Sequence, residues 1–177
     1  MRRTAIAALT GLAALTSGTI AARAFHPTAV GAPVVRHEII AVYLGTIGTD
    51  SQSGMVAAVR DIKTALKKQA VASGRALVTR GVSLEPSVDD GLRHLTLLGG
   101  FDEVSLGGNW TNSAVVRYLG GSIDGARRDG IPQLILLERD VTVGSTRLRV
   151  GAERELGRYI GTEDIAQWAG RGAPLPR

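Results

Sequence analysis

Residues 38–74 decide the fold: Glu38-Ile39-Ile40-Ala41-Val42-Tyr43-Leu44, then Gly45-Thr46-Ile47-Gly48-Thr49-Asp50-Ser51-Gln52-Ser53-Gly54, then a long segment ending at Gly74. The first run is apolar, contains β-branched residues and is closed by Gly45. That is the pattern of a strand buried on both faces, central in a parallel sheet. In the last segment Met55, Val59, Ile62, Leu66 and Ala70 recur at helical spacing, while Arg60, Lys63 and Lys67 fall on the other face. Asp50, Ser51 or Ser53 can cap the start of this helix, and Gly74 suits its end. A strand feeding a helix through an exposed polar turn is a common place to build a site. This turn nevertheless holds no residue that obviously performs chemistry.

The 177-residue length suits one domain with a real core, and a hydrophobic content of 44% fits an ordinary globular protein. Aromatics make up 4%, so Leu, Val, Ile and Ala must fill the interior. The chain has no cysteine, which excludes disulfides, thiolate nucleophiles and Cys-ligated metals. The net charge of +5 is weaker evidence for nucleic acid than it looks. Without residues 1–24 the chain has 18 basic against 16 acidic residues, and these are dispersed, with Lys67-Lys68 and Arg127-Arg128 only as pairs. Phosphate-backbone binding needs a clustered basic face, so no nucleic-acid partner is expected.

Outward from the central stretch, Met1-Arg2-Arg3 is a positive n-region, residues 4–22 are uncharged and apolar, and Ala22-Arg23-Ala24 has the form of a cleavage site. Residues 1–24 therefore read as a secretory signal, or as a membrane anchor through residues 4–22 if uncleaved. Residues 25–37 read as a linker, residues 38–169 as the folded domain and residues 170–177 as a flexible tail. Within the domain, Ala76-Leu77-Val78-Thr79-Arg80-Gly81-Val82-Ser83-Leu84 reads as a second buried strand. Ser87, with Asp90 three residues on, starts a helix whose expected buried stripe is Val88, Leu92, Leu95 and either Leu98 or Leu97. A short strand at 101–106 and a brief helix from Asn112 or Ser113 follow. Gln133-Leu134-Ile135-Leu136-Leu137-Glu138, the turn at Gly144-Ser145 and Arg147-Leu148-Arg149-Val150 make a hairpin. Residues 152–160 and 163–169 read as helices, with Glu153-Arg154-Glu155 as a solvated face and Trp168 as packing. The order β-α-β-α-β-α-β-β-α implies a mixed sheet with helices on both faces.

This order resembles the thioredoxin-like superfamily, in particular its extracytoplasmic thiol–disulfide oxidoreductases and the related peroxiredoxins. Ile40 to Gly45 is similar to the strand before that family's redox turn, and Gly81-Val82-Ser83-Leu84 to its Gly-Val-Ser strand end. Val115-Val116-Arg117-Tyr118-Leu119-Gly120 resembles the short helix before its final hairpin. Gly130-Ile131-Pro132-Gln133-Leu134-Ile135-Leu136-Leu137-Glu138 resembles its Gly-Val-Pro strand, whose proline is cis. The resemblance implies an α/β fold with a thioredoxin-like mixed central sheet flanked by helices. It also places a Cys-x-x-Cys between Gly48 and Gly54, where this chain has Thr, Asp, Ser and Gln. An alcohol cannot form the mixed disulfide, so disulfide exchange by the isolated chain is excluded.

Three candidate sites follow. The first is a groove between the polar turn (Thr46, Thr49, Asp50, Ser51 and Ser53) and the edge at Ile131 and Pro132, where a cis proline leaves backbone groups for an extended peptide. The second is the same turn as an anion site, although no Lys-Ser/Thr pair follows Gly54 and Asp50 opposes an anion. The third is Gly107-Gly108-Asn109-Trp110-Thr111-Asn112, where Asn109 and Trp110 could form a partner contact. His26, His37 and His94 all lie far from the turn in sequence, and no metal spacing is present. The expectation is a redox-inactive, non-enzymatic interaction module outside the cytoplasm. It would need no cofactor and would bind a protein partner, such as the subunits of a membrane complex. A binding protein or enzyme for a small anionic ligand is the alternative.

Overall fold

The computed structural model describes residues 32–52, 54–120 and 130–176. The N-terminal segment expected as a signal or anchor lies outside these residues, as does most of the linker. Strand β1 (Val34–Gly45) runs through the molecule and is fully buried from Glu38 onward. It pairs in parallel with β2 (Ala76–Ser83), and β2 pairs in parallel with the short β3 (Glu103–Ser105). On its other side β1 lies antiparallel to β4 (Gln133–Val143), which also pairs with β5 (Leu148–Val150) and β6 (Arg154–Ile160). The path is β3-β2-β1-β4-β5, with β6 beside β4. The peptide bond between Ile131 and Pro132 is cis. The fold is a mixed central sheet flanked by helices on both faces.

Alternation along β1 divides the core. Ala41 and Tyr43 face the helices α2 (Met55–Ala72), α3 (Val88–Leu97) and α5 (Gly161–Gly170), where Val59, Ile62, Leu66, Leu95, Ile165 and Trp168 are buried. Ile40, Val42 and Leu44 face the shorter α4 (Ser113–Leu119) and pack with Val82, Val115 and Ile135. Each such aliphatic side chain contributes about 1.5–3 kcal/mol by leaving water. Beyond the reach of α4, polar side chains cover the same face. Arg139 Nε donates to Glu38 Oε2 (2.8 Å), and Glu153 meets Arg80 (3.2 Å), Arg117 (2.8 Å) and Arg139 (3.5 Å).

Four expectations are corrected. Residues 154–160 form β6 rather than a helix, because β4 needs a partner on its outer edge. Leu156 and Tyr159 pack on the α2 side of the core, and the Tyr159 and Trp168 rings stack 4.1 Å apart. Glu153 is therefore no solvated helix residue but the hub of the ion pairs above. The expected linker also ends earlier than read, since β1 already begins at Val34 opposite Val143. The tail is docked rather than flexible through residue 176. Ala173 is buried, Gln69 Nε2 donates to the Ala173 carbonyl (2.9 Å), and Gln69 Oε1 accepts from Leu175 N (3.0 Å). Trp168 Nε1 donates to the Pro174 carbonyl (3.2 Å), which satisfies the buried indole.

Candidate functional site

The parallel strands β1, β2 and β3 all end at one edge of the sheet, so the segments that follow them emerge together. After β1 comes α1 (Ile47–Gln52), a short helix where the sequence suggested only a turn. Thr46 caps it, since Thr49 N donates to Thr46 Oγ1 (3.4 Å). The segment after β2 ties on to it: Ile47 N donates to Glu85 Oε1 (2.9 Å) and Leu84 N to the Gly45 carbonyl (3.0 Å). The segment after β3 joins in turn, through Gly108 N donating to the Pro86 carbonyl (3.4 Å). On the opposite flank Gln133 pairs with Leu44, which sets Pro132 beside the end of β1.

Asp50 does not decorate the surface of this end. It is 2% exposed and sits inside, where Tyr43 Oη donates to its Oδ1 (2.6 Å) and His94 Nε2 is hydrogen-bonded to its Oδ2. Ser83 Oγ lies 3.0 Å from His94 Nδ1 and also accepts from Glu85 N (3.3 Å). The ring bridges the two elements, with Nδ1 against Ser83 Oγ and Nε2 donating to the Asp50 carboxylate, which can only accept. Ser83 and His94 are 0% exposed and Tyr43 1%. No buried side-chain polar atom among the described residues lacks a partner. Burial, reinforced by the adjacent Asp50 charge and its hydrogen bond, pushes the Tyr43 hydroxyl well above its ordinary range.

A serine, a histidine and an aspartate in line invite comparison with a nucleophilic triad, but the environment opposes that chemistry. A nucleophile needs a substrate carbonyl within reach and donors for the oxyanion. Ser83 is sealed beneath Gly91, whose Cα would place a Cβ 3.3 Å from Ser83 Cβ and 3.1 Å from Leu106 Cδ2. The network instead joins α1, β1, β2 and α3 with charge-assisted hydrogen bonds among buried groups. Sequence reasoning missed it because Asp50 and His94 are 44 positions apart on different elements. One signal was present: His94 occupies helical spacing with Gly91, Leu95 and Leu98, where an apolar residue would be expected.

That substitution rotates α3. Its buried residues are Gly91, His94 and Leu95, with Leu98 just beyond, so the expected stripe is only half right. Val88 and Leu92 are left 57% and 52% exposed. Val88 Cγ2 abuts Gly107, at the start of the segment carrying Trp110. Gly107, Gly108 and Asn109 have φ of 72°, 73° and 48°, a left-handed run that glycine makes cheap. It sends the chain into a single 3-10 turn, Asn109–Thr111. Asn112 fixes this segment, with Nδ2 donating to the Gly107 carbonyl (2.9 Å) and Oδ1 accepting from Ser105 Oγ (2.7 Å) and Ala114 N (2.9 Å). Trp110 is 57% exposed on this braced loop, and Asn109, in the same turn, is half-buried.

The other predicted groove residues divide. Thr46 and Thr49 are half-buried and pair with each other (3.2 Å). Ser51 lies in α1, and Ser53 lies outside the described residues. Ile131 is half-buried, whereas Pro132 is buried and its carbonyl already accepts from Gly161 N (2.8 Å). The N-cap of α2 is Gly54, in a left-handed conformation, and not Asp50, Ser51 or Ser53. Among the described residues, no group of three or more His, Asp or Glu side chains is placed to hold a metal, and no helix is long and apolar enough to cross a membrane.

No family model and no curated protein matches the chain. Among solved structures it is similar to a thiol:disulfide interchange protein, a thioredoxin family protein from Chlorobium tepidum TLS. The two are 14% identical with a TM-score of 0.35, over 78% of this chain and 81% of that one.

Proposed function

We propose that this protein is a redox-inactive thioredoxin-like module that works by docking another protein, not by catalysis. The observation that carries the reading is that Val88, Leu92 and Trp110 are all exposed, with Val88 beside Gly107 at the start of the loop that carries Trp110. An amphipathic helix that buries a histidine and exposes a valine and a leucine has exchanged solubility for a surface. Trp110 supplies a large, rigid contact held in place before binding, which lowers the ordering cost of association. The absence of cysteine fits a fold that serves as a shape rather than a redox centre. The place is proposed to be outside the cytoplasm, either free or tethered through residues 4–22, with the subunits of a membrane complex as the partner.

Purification from native membranes tests this. The wild-type protein is expected to bring down a companion in constant ratio, and Trp110→Ser combined with Leu92→Ser is expected to lose it. Equal recovery from both would reject the docking face. Intact mass of the same sample separates a product starting at Phe25 from a retained N-terminal segment.

A further inference from the structure

Helix α2 carries Arg60, Lys63 and Lys67 at i, i+3 and i+7, one face by helical geometry. Arg75 follows at the start of β2. The sequence pattern assigns these cations to solvent, but they line a cleft of about 770 Å³ between α2, the first half of β2 and the segment 99–102. The cleft exists because β3 pairs with Arg80–Val82 and no strand among the described residues pairs with that edge of β2 beside Leu77. Four cations there face one carboxylate, Asp102, whose Oδ2 is taken by Thr79 N and Thr79 Oγ1 (2.7 Å each).

We propose that this cleft binds a small phosphorylated molecule whose phosphates lie against Lys67 and Arg75 and whose organic part rests on Leu77. The roles separate by existing partners. Arg60 donates to the Leu97 carbonyl (2.7 Å), and Lys63 to the carbonyls of Leu98 (2.7 Å) and Gly100 (2.6 Å), so these two brace the wall. Lys67 has no ion-pair partner among the described residues, and Arg75 has only a loose approach of 3.9 Å to Glu138. Burial first, and then the nearby Arg60, hold the Lys63 ammonium below its ordinary pKa against the opposing pull of Asp102. Several cations lining one cleft favour a ligand of concentrated negative charge, and of the two groups a guanidinium fork fits, phosphate carries more charge than a carboxylate. The volume falls within the range of small-molecule sites, about 300–1,000 Å³, and exceeds what a bare phosphate fills.

An acidic peptide is the weaker occupant. Strand addition needs a run of open backbone, and Asp102 already takes both Thr79 N and, through its own N–H, the Thr79 carbonyl (3.0 Å). The edge left beside Leu77 is too short. The cleft also lies at the start of β2, about 20 Å along the strand from Ser83. It is therefore independent of the docking face, and either proposal can fail alone.

Calorimetric titration of the full chain with ADP, pyrophosphate and adenosine tests it. ADP is expected to bind one-to-one, pyrophosphate more weakly and adenosine not measurably. Lys67→Gln and Arg75→Gln are each expected to weaken ADP by about tenfold, the loss of one charged hydrogen bond. Lys68→Gln, outside the cleft, is expected to leave it unchanged. Absence of ADP binding would overturn the proposal, as would equal weakening by Lys68→Gln or a hexaglutamate peptide binding as tightly as ADP.

Discussion

Asp50 and His94, 44 positions apart in sequence, are hydrogen-bonded to each other in the interior beneath α1, with Tyr43 and Ser83 completing the set. The carboxylate that the chain places in its exposed-looking turn therefore holds the turn down instead of serving it. Removing one partner leaves the other buried with a polar group unsatisfied, Asp50 keeping only Tyr43 and His94 only Ser83. His94→Ala and Asp50→Ala are each expected to lower unfolding free energy by about 3 kcal/mol. The double variant should lose at least about 1 kcal/mol less than the sum. Urea denaturation of the four proteins measures this, and strict additivity would mean that the two residues do not act as a pair.

Tyr43 gives a signature in alkali. Its hydroxyl is held above the ordinary value by burial and by Asp50, so the folded protein keeps a proton that the unfolded chain releases near pH 10. The contribution is whole below that pH and declines as pH rises above it. Stability measured from pH 8 to 11 should fall more steeply in wild type than in Tyr43→Phe. At pH 7 the same variant should be about 1–2 kcal/mol less stable, because Asp50 loses a donor.

Gly81 tests packing at the centre of the sheet. A Cβ at this position would stand 2.7 Å from Phe101 Cδ2 and 2.8 Å from Leu95 Cδ1. Gly81→Ala, ordinarily a gain in a strand, is expected to destabilise by about 2 kcal/mol, the overpacking range. A thermal scan showing a stabilised variant would contradict the packing.

Ser83 is expected to resist chemistry. A fluorophosphonate probe incubated with the native protein should leave Ser83 unmodified, as judged by peptide mass, since the hydroxyl is fully buried. Labelling that depended on His94 would show an enzyme.

Much of the fold was legible in the residues. The apolar run through Val42, the helical recurrence from Met55 to Ala70, the Ser87 cap and the Pro132 strand start each carry a local signal, and all appear where expected. Residues 154–160 were not legible, because their alternation is broken by Gly157 and the register shift opposite Leu136 and Leu137. Only the need of β4 for a neighbour decides them. The site was less legible still. His94 becomes meaningful only when the sheet sets Asp50 against α3, and the exposure of Val88 and Leu92 follows from that same rotation. Trp110 was half legible, since flanking glycines and a polar loop suited an exposed ring and a ring folded over the core edge equally well.

Site-specific photocrosslinking in the native host tests the docking face most directly. Benzoylphenylalanine replaces Trp110 in one variant and Val143, 48% exposed at the opposite end of β1 and β4, in another. One dominant heavier adduct from position 110, absent from position 143, is the predicted result. No adduct at 110, or the same adducts from both positions, would contradict a protein that acts by docking through this end of its sheet.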